Sequence, residues 1–193
     1  MNTTIDILRK LEQNYIHADH VSNNQRLLNS DSYYWQNTIL KTHDSWSLET
    51  ATTRNKDNID RTIGMIRQLI SNNQLSEDFT VMEIFCGDGS ILYSLKQEFP
   101  NITCIGLDLL YHNLWDRIRS LQSGHNFVQI DFYDLLKNEI NLNLDLMITY
   151  NTFRGWDNPV GPNNNFNKIT IDEFKKWSHL NFKYSIAEGR QFI

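Results

Sequence analysis

Apolar residues recur along this chain in two rhythms, and the change between them falls near residue 77. Before it, Ile5, Leu8, Leu11 and Tyr15 repeat at helical spacing, with Thr3 or Thr4 available as an N-cap. Ser30 to Leu40 (SDSYYWQNTIL) predicts another helix with an aromatic face. Ile59, Ile63, Ile66 and Ile70 trace one stripe of a helix running from about Lys56 to Asn72. The polar, Thr-rich stretch KTHDSWSLETATTRNKD between these helices is expected to stay irregular.

From Phe79 the pattern becomes short apolar runs alternating with amphipathic stretches. FTVMEIF, ITCIGLD, NFVQID, LDLMITY and FKYSIAEG read as strands. Between them lie ILYSLKQEF, HNLWDRIRSLQ, a short FYDLLKN turn, and IDEFKKWSHL, which Thr170 and Glu173 open as a capping box. Near-continuous apolar strands separated by helices imply a parallel sheet covered on both faces. Right-handed crossovers then predict an α/β, Rossmann-like, doubly wound and mainly parallel sheet, abbreviated to about five strands, with an N-terminal helical cap. Residues 1–76 form the cap or substrate-covering region and 77–193 the core, as one compact unit without internal repeats.

Composition adds exclusions. The chain has 193 residues, 40% of them hydrophobic and 21% charged, which suits a soluble globular domain. A formal charge of −5 and the lack of a Lys/Arg run disfavour nucleic acid as a partner. No apolar stretch reaches the length of a membrane span and MNTTIDILRK lacks the core of a signal peptide, so the expected location is cytoplasmic. Cys86 and Cys104 fall in neighbouring strands and read as reduced core thiols, with no metal site expected. The many asparagines read as loop formers.

Ligands of open parallel sheets bind beyond the carboxyl ends of the strands, and unusual residues stand at those ends here. After the first strand comes Cys86-Gly87-Asp88-Gly89-Ser90. Its paired glycines admit a ligand close to the backbone, and the following helix start offers unpaired N–H groups. Asp108 ends the second strand, about twenty positions on, where a carboxylate accepts ribose hydroxyls. Asp131 beside Phe132 ends the third, a pairing suited to the edge and face of an adenine. A dinucleotide fingerprint requires a third glycine where Leu92 stands. A nucleoside with a cationic end, which Glu83 within the first strand would meet, fits better.

The run VMEIFCGDGSILYSL resembles the first motif of class I S-adenosylmethionine-dependent methyltransferases, with Glu83, Gly87 and Gly89 matching residue by residue. CIGLD and FVQIDF resemble the second and third elements, and LDLMITYN the fourth strand. The likeness covers about Phe79 to Ile193. It implies S-adenosylmethionine (SAM) as cofactor, held by Glu83, Phe85, Gly87, Gly89, Asp108, Leu109, Asp131 and Phe132. By the same resemblance Asp108 takes the ribose and Asp131 the adenine.

Phe85 occupies a position often held by glycine, although an F-C-G-x-G variant occurs in the family. Tyr150-Asn151-Thr152-Phe153 lacks the Asn/Asp-Pro-Pro-aromatic signature of enzymes that methylate nucleic-acid bases. The chain runs out after its fifth strand, so the free sheet edge is expected to be covered by the N-terminal helices or by another subunit in a homo-oligomer.

The expected reaction is in-line methyl transfer to a small-molecule acceptor. Alternatives are aminocarboxypropyl transfer, cyclisation releasing methylthioadenosine, or a SAM-binding module without catalysis. Candidate groups on the acceptor side are Tyr150 and Asn151 after the fourth strand, Glu188 after the fifth, and His43, which with Asp44 forms a potential acid–base pair. Each has a plainer reading: Glu188 as a strand-end charge, His43 as a solvated loop residue, Asp88 as a helix-start residue. The loop RGWDNPVGPNNNFN is long enough to serve as a lid.

Overall fold

The computed structural model describes residues 3–16, 46–108, 111–130, 135, 140–150, 171–187 and 190–192. Its strands are β1 (Thr80–Ile84), β2 (Thr103–Asp108), β3 (His125–Gln129), β4 (Leu144–Thr149), β5 (Phe182–Ala187) and β6 (Arg190–Phe192). Its helices are α1 (Thr4–Ile16), α2 (Leu48–Arg54), α3 (Lys56–Ser71), α4 (Ser90–Glu98), α5 (Leu114–Leu121) and α6 (Ile171–Asn181). They form one sheet in the order β3-β2-β1-β4-β5-β6. The first five strands are parallel, and β6 runs antiparallel to β5. The chain winds outward from β1 to β3, then crosses to β4 on the other side of β1, so the switch point lies between β1 and β4.

Period-2 alternation within the apolar strands splits the core in two. One face carries Val81, Cys104, Phe127, Leu146, Ile148 and Ile186 against α2, α3, α4 and α5. The other carries Met82, Ile84, Ile105, Leu107, Val128 and Met147 against Leu8 of α1 and Phe174 and Trp177 of α6. Leu8 is fully buried, worth about 2 kcal/mol to the attachment of α1. The N-terminal helices thus supply covering layers on both faces.

Two expectations are corrected. The stretch expected to be irregular contains α2. Ser47 caps it by accepting the Thr50 N–H at 3.1 Å, and Leu48 and Ala51, three residues apart, are both buried. The polar letters concealed a cap and a two-residue apolar stripe. The sheet edge beside β5 is covered by β6, paired through Ser185–Phe192 and Ala187–Arg190, rather than by the N-terminal helices. Instead α1 attends the opposite edge, where Glu12 Oε1 accepts the Gln129 N–H at 2.9 Å. Thr4 also donates its hydroxyl to the Leu142 carbonyl at 3.1 Å. An edge strand needs a partner for its outward N–H groups, and Glu12 supplies one. The helix placed over Ser30 to Leu40 and the capping residue Thr170 lie outside the described residues.

Candidate functional site

The bend after β1 is built from alternating left-handed residues. Phe85, Gly87 and Gly89 have φ of +61°, +51° and +78°. Phe85, where the family often has glycine, adopts the conformation a glycine would, at a cost of about 1–3 kcal/mol. At Gly89 the requirement is also steric, because a Cβ there would lie 2.5 Å from the Phe127 ring. Gly106 stands in register between Glu83 and Phe127. A Cβ there would lie 2.5 Å from the same ring and 2.9 Å from Cys86 Sγ. One aromatic ring on β3 therefore dictates two glycines.

The bend is held from several sides. Gly87 donates its N–H to Asp108 Oδ2 at 2.8 Å, and its carbonyl accepts the Trp115 Nε1–H, also at 2.8 Å. Gly89 N–H closes a turn onto the Cys86 carbonyl at 2.9 Å. Asp88, 5% exposed, accepts the Ser90 N–H at 2.9 Å, which makes it a helix-start residue. From α3's cap, Asn55 donates to Ser90 Oγ at 2.8 Å. Behind the bend Trp115, buried from α5, stacks on Phe127 at 5.2 Å with the rings nearly parallel.

Three carboxylates meet here. Glu83 is 2% exposed, and its Oε2 has no hydrogen-bond partner among the described residues. Burial, with Asp88 and Asp108 nearby, raises its carboxyl well above the ordinary range, opposed only by a hydrogen bond from the Leu92 backbone. An isolated buried carboxylate is costly, so Glu83 keeps its proton unless a cation reaches it. Burial and the same carboxylates push the Cys86 thiol well above its usual range, while burial raises Cys104 to about 12. Both are free thiols, kept neutral.

The structure brings together Glu83, Phe85, Gly87, Gly89 and Asp108. Tyr150 stands just beyond β4, with its ring buried, its hydroxyl 2.6 Å from Thr62 Oγ1 and 3.3 Å from the Asn58 carbonyl, either of which can accept its one proton. That hydroxyl is anchored in α3. Leu109, Asp131, Phe132, Asn151, Glu188 and His43 lie outside the described residues, as does the RGWDNPVGPNNNFN loop. Among the described residues, no group of three or more His, Cys, Asp or Glu is placed to hold a metal ion, and no helix is long and apolar enough to cross a membrane.

Sequence reasoning missed Trp115, Phe127 and Asn55 as builders of the site. Trp115 sits beside Leu114 and Ile118 on the buried stripe of an amphipathic helix, a signal indistinguishable from core packing. Phe127 was findable through Gly106: a glycine inside a strand marks a close approach.

No protein-family model matches this chain, and no curated protein matches it. Solved structures do. The plantazolicin methyltransferase BpumL, crystallised with a monoazolic desmethylPZN analog and SAH, superposes with a TM-score of 0.52 at 13% identity over 95% of this chain and 62% of that one. A putative O-methyltransferase from Nostoc punctiforme gives 0.50 at 13% identity, over 72% of this chain and 38% of that one. The bifunctional kinase-methyltransferase WbdD gives 0.50 at 17% identity over 69% and 28%. This chain thus spans between 28% and 62% of the length of these neighbours. The likeness is one of fold: the chain has the class I methyltransferase fold.

Proposed function

We propose that this chain is a SAM-dependent methyltransferase that transfers the methyl group in line to a small-molecule acceptor. The observation that carries the reading is the orphaned Oε2 of Glu83, buried beside Asp88 and Asp108 at a bend where glycine leaves the backbone open. A ligand with a cationic end answers that orphaned oxygen, and SAM carries both an ammonium and a sulfonium. The residues present fit it. Bound there, it supplies an electrophilic methyl group on positively charged sulfur.

The protein's own work is binding and alignment. Glu83 holds the cationic end. One Asp108 oxygen fixes the bend through Gly87, and Asp108 is proposed for the ribose. Leu109, Asp131 and Phe132 are proposed for the adenine. On the acceptor side, Tyr150 acts as an anchored wall beyond β4, and Asn151, Glu188 and His43 are proposed to orient the acceptor or take its proton. A base is required only where the acceptor loses a proton during transfer. The net charge of −5 supports a small acceptor over a polyanion.

Calorimetry with SAM and with NAD, followed by product analysis, tests this. SAM binding with S-adenosylhomocysteine as product across an acceptor panel supports it. Binding of NAD alone, or methylthioadenosine as the only product, overturns it.

A further inference from the structure

A cavity of about 230 Å³ opens at the β3 edge of the sheet between α1 and α5. Arg9 and Glu12 line one wall, Tyr111, Trp115 and Arg119 the other, with Phe127 and Gln129 at the base. We propose that this cavity binds a small planar monoanion, an aromatic carboxylate, at a site separate from the glycine bend.

Donor and acceptor accounting supports the anion. Glu12 spends one oxygen on the Gln129 N–H and the other on Arg9, at 2.9 and 2.5 Å. Trp115 spends its only N–H on the Gly87 carbonyl. Each guanidinium has five N–H groups in a planar fork. Arg9 pairs with Glu12 through one nitrogen, and Arg119 with Asp116 through one at 2.6 Å. Among the described residues the two guanidinium forks therefore have more N–H groups than their carboxylate partners take up, with Glu12 in the lining and Asp116 just outside it as the two counter-charges. A planar monoanion can take the free edges of the forks with less repulsion from Glu12 and Asp116 than a phosphate dianion would meet.

Shape supports the ring. Tyr111 and Trp115 meet edge to face at 5.4 Å, and Arg119 lies 5.9 Å from the Phe127 centroid, so the walls are aromatic edges and guanidinium planes. The volume falls below the roughly 300–1,000 Å³ of pockets for drug-sized ligands, which favours a single ring over a nucleoside. Trp115 stands between this cavity and the bend, forming a wall of one and a hydrogen bond to the other.

The test is calorimetric titration of the whole chain with sodium benzoate, in the presence and absence of saturating S-adenosylhomocysteine. One saturable site is expected, with its dissociation constant changed less than threefold by S-adenosylhomocysteine. Arg119→Gln should weaken benzoate at least fivefold. Arg119→Lys, which keeps the charge but loses the planar fork, should fall between. Arg117→Gln, outside the lining, should bind as the parent does, with all variants matched by thermal melting. No saturable binding at millimolar benzoate, an unaffected Arg119→Gln, tighter binding of inorganic phosphate, or abolition by S-adenosylhomocysteine would each overturn the proposal. The benzoate titration stands on its own if S-adenosylhomocysteine itself fails to bind, so this failure and failure of the methyltransferase reading are distinguishable.

Discussion

Gly87 gives its amide to the Asp108 carboxylate at 2.8 Å, so the residue expected to hold a ribose is also a strut of the glycine bend. Removing it therefore has two effects, and two substitutions separate them. Asp108→Ala should weaken SAM binding more than tenfold, over about 1.4 kcal/mol. It should also lower stability by about 1–3 kcal/mol, since a charge-assisted acceptor is lost. Asp108→Asn keeps an amide oxygen for Gly87. It should recover most of the stability in urea denaturation while its SAM dissociation constant stays high. If both variants bind SAM as the parent does, the ribose lies elsewhere.

Phe127 makes Gly89 obligatory. Gly89→Ala meets both a left-handed φ of +78° and a ring 2.5 Å from the new Cβ. A loss of about 3 kcal/mol or more is expected from strain and overpacking together. Phe127→Leu alone should cost about 1–2 kcal/mol, and the double variant should be more stable than the two losses summed. Additive losses in the double-mutant cycle would mean that the ring does not set the bend.

What could be read from the sequence follows from which signals are local. Strand spacing and the bend were legible because β1 and β4 are near-continuous apolar runs, interrupted only by Glu83 and Asp145, and Gly87 and Gly89 stand in an unmistakable turn. The α2 helix was not, because Ser47, Leu48 and Ala51 carry it inside a polar stretch too short for periodicity to register. The role of Glu12 was equally invisible. Its value comes from the Gln129 amide, 117 residues away, and nothing near Glu12 in the sequence marks an edge strand. Phe85 shows the limit from the other side: its side chain argues against a left-handed backbone, and the surrounding structure imposes one.

Tyr150 separates an anchor from a catalyst. Its hydroxyl and that of Thr62 are buried 2.6 Å apart, while Thr62 has a further acceptor in the Asn58 carbonyl at 2.7 Å. Tyr150→Phe should therefore cost about 1 kcal/mol of stability, with SAM affinity unchanged within twofold and turnover reduced only modestly. A hundredfold fall in kcat at unchanged stability would place the hydroxyl in the chemistry instead.

His125 should contribute to the acid limb of the stability profile. It is 6% exposed, stacked on Phe127 at 5.7 Å and paired through Nε2 with Gln122 at 2.8 Å. Burial, and secondarily Lys96, lowers its pKa from 6.5 to about 4. The unfolded chain therefore binds more protons between those values. Stability is fully present above pH 6.5 and is lost as pH falls towards 4, by up to about 3 kcal/mol before solvent screening is discounted. Urea midpoints should fall across that window in the parent, and His125→Gln should flatten this part of the profile. An equally steep profile in the variant would assign the acid limb to other groups.

Glu83 should make cofactor affinity rise with pH, while its contribution to fold stability has the opposite sign from that of most carboxylates. Its folded pKa is raised by burial, then by Asp88 and Asp108. The ligand-free fold therefore holds a proton that the unfolded chain releases, and it loses stability as pH rises through the folded value. A cationic ligand favours the ionised form, so binding should expel that proton. SAM affinity should then tighten with rising pH through this titration, and heats measured in buffers of different ionisation enthalpy should reveal proton release. Glu83→Gln should be more stable than the parent at alkaline pH, bind SAM more weakly and lose the pH dependence. Parent and variant showing the same dependence would mean that the cation is received by another group.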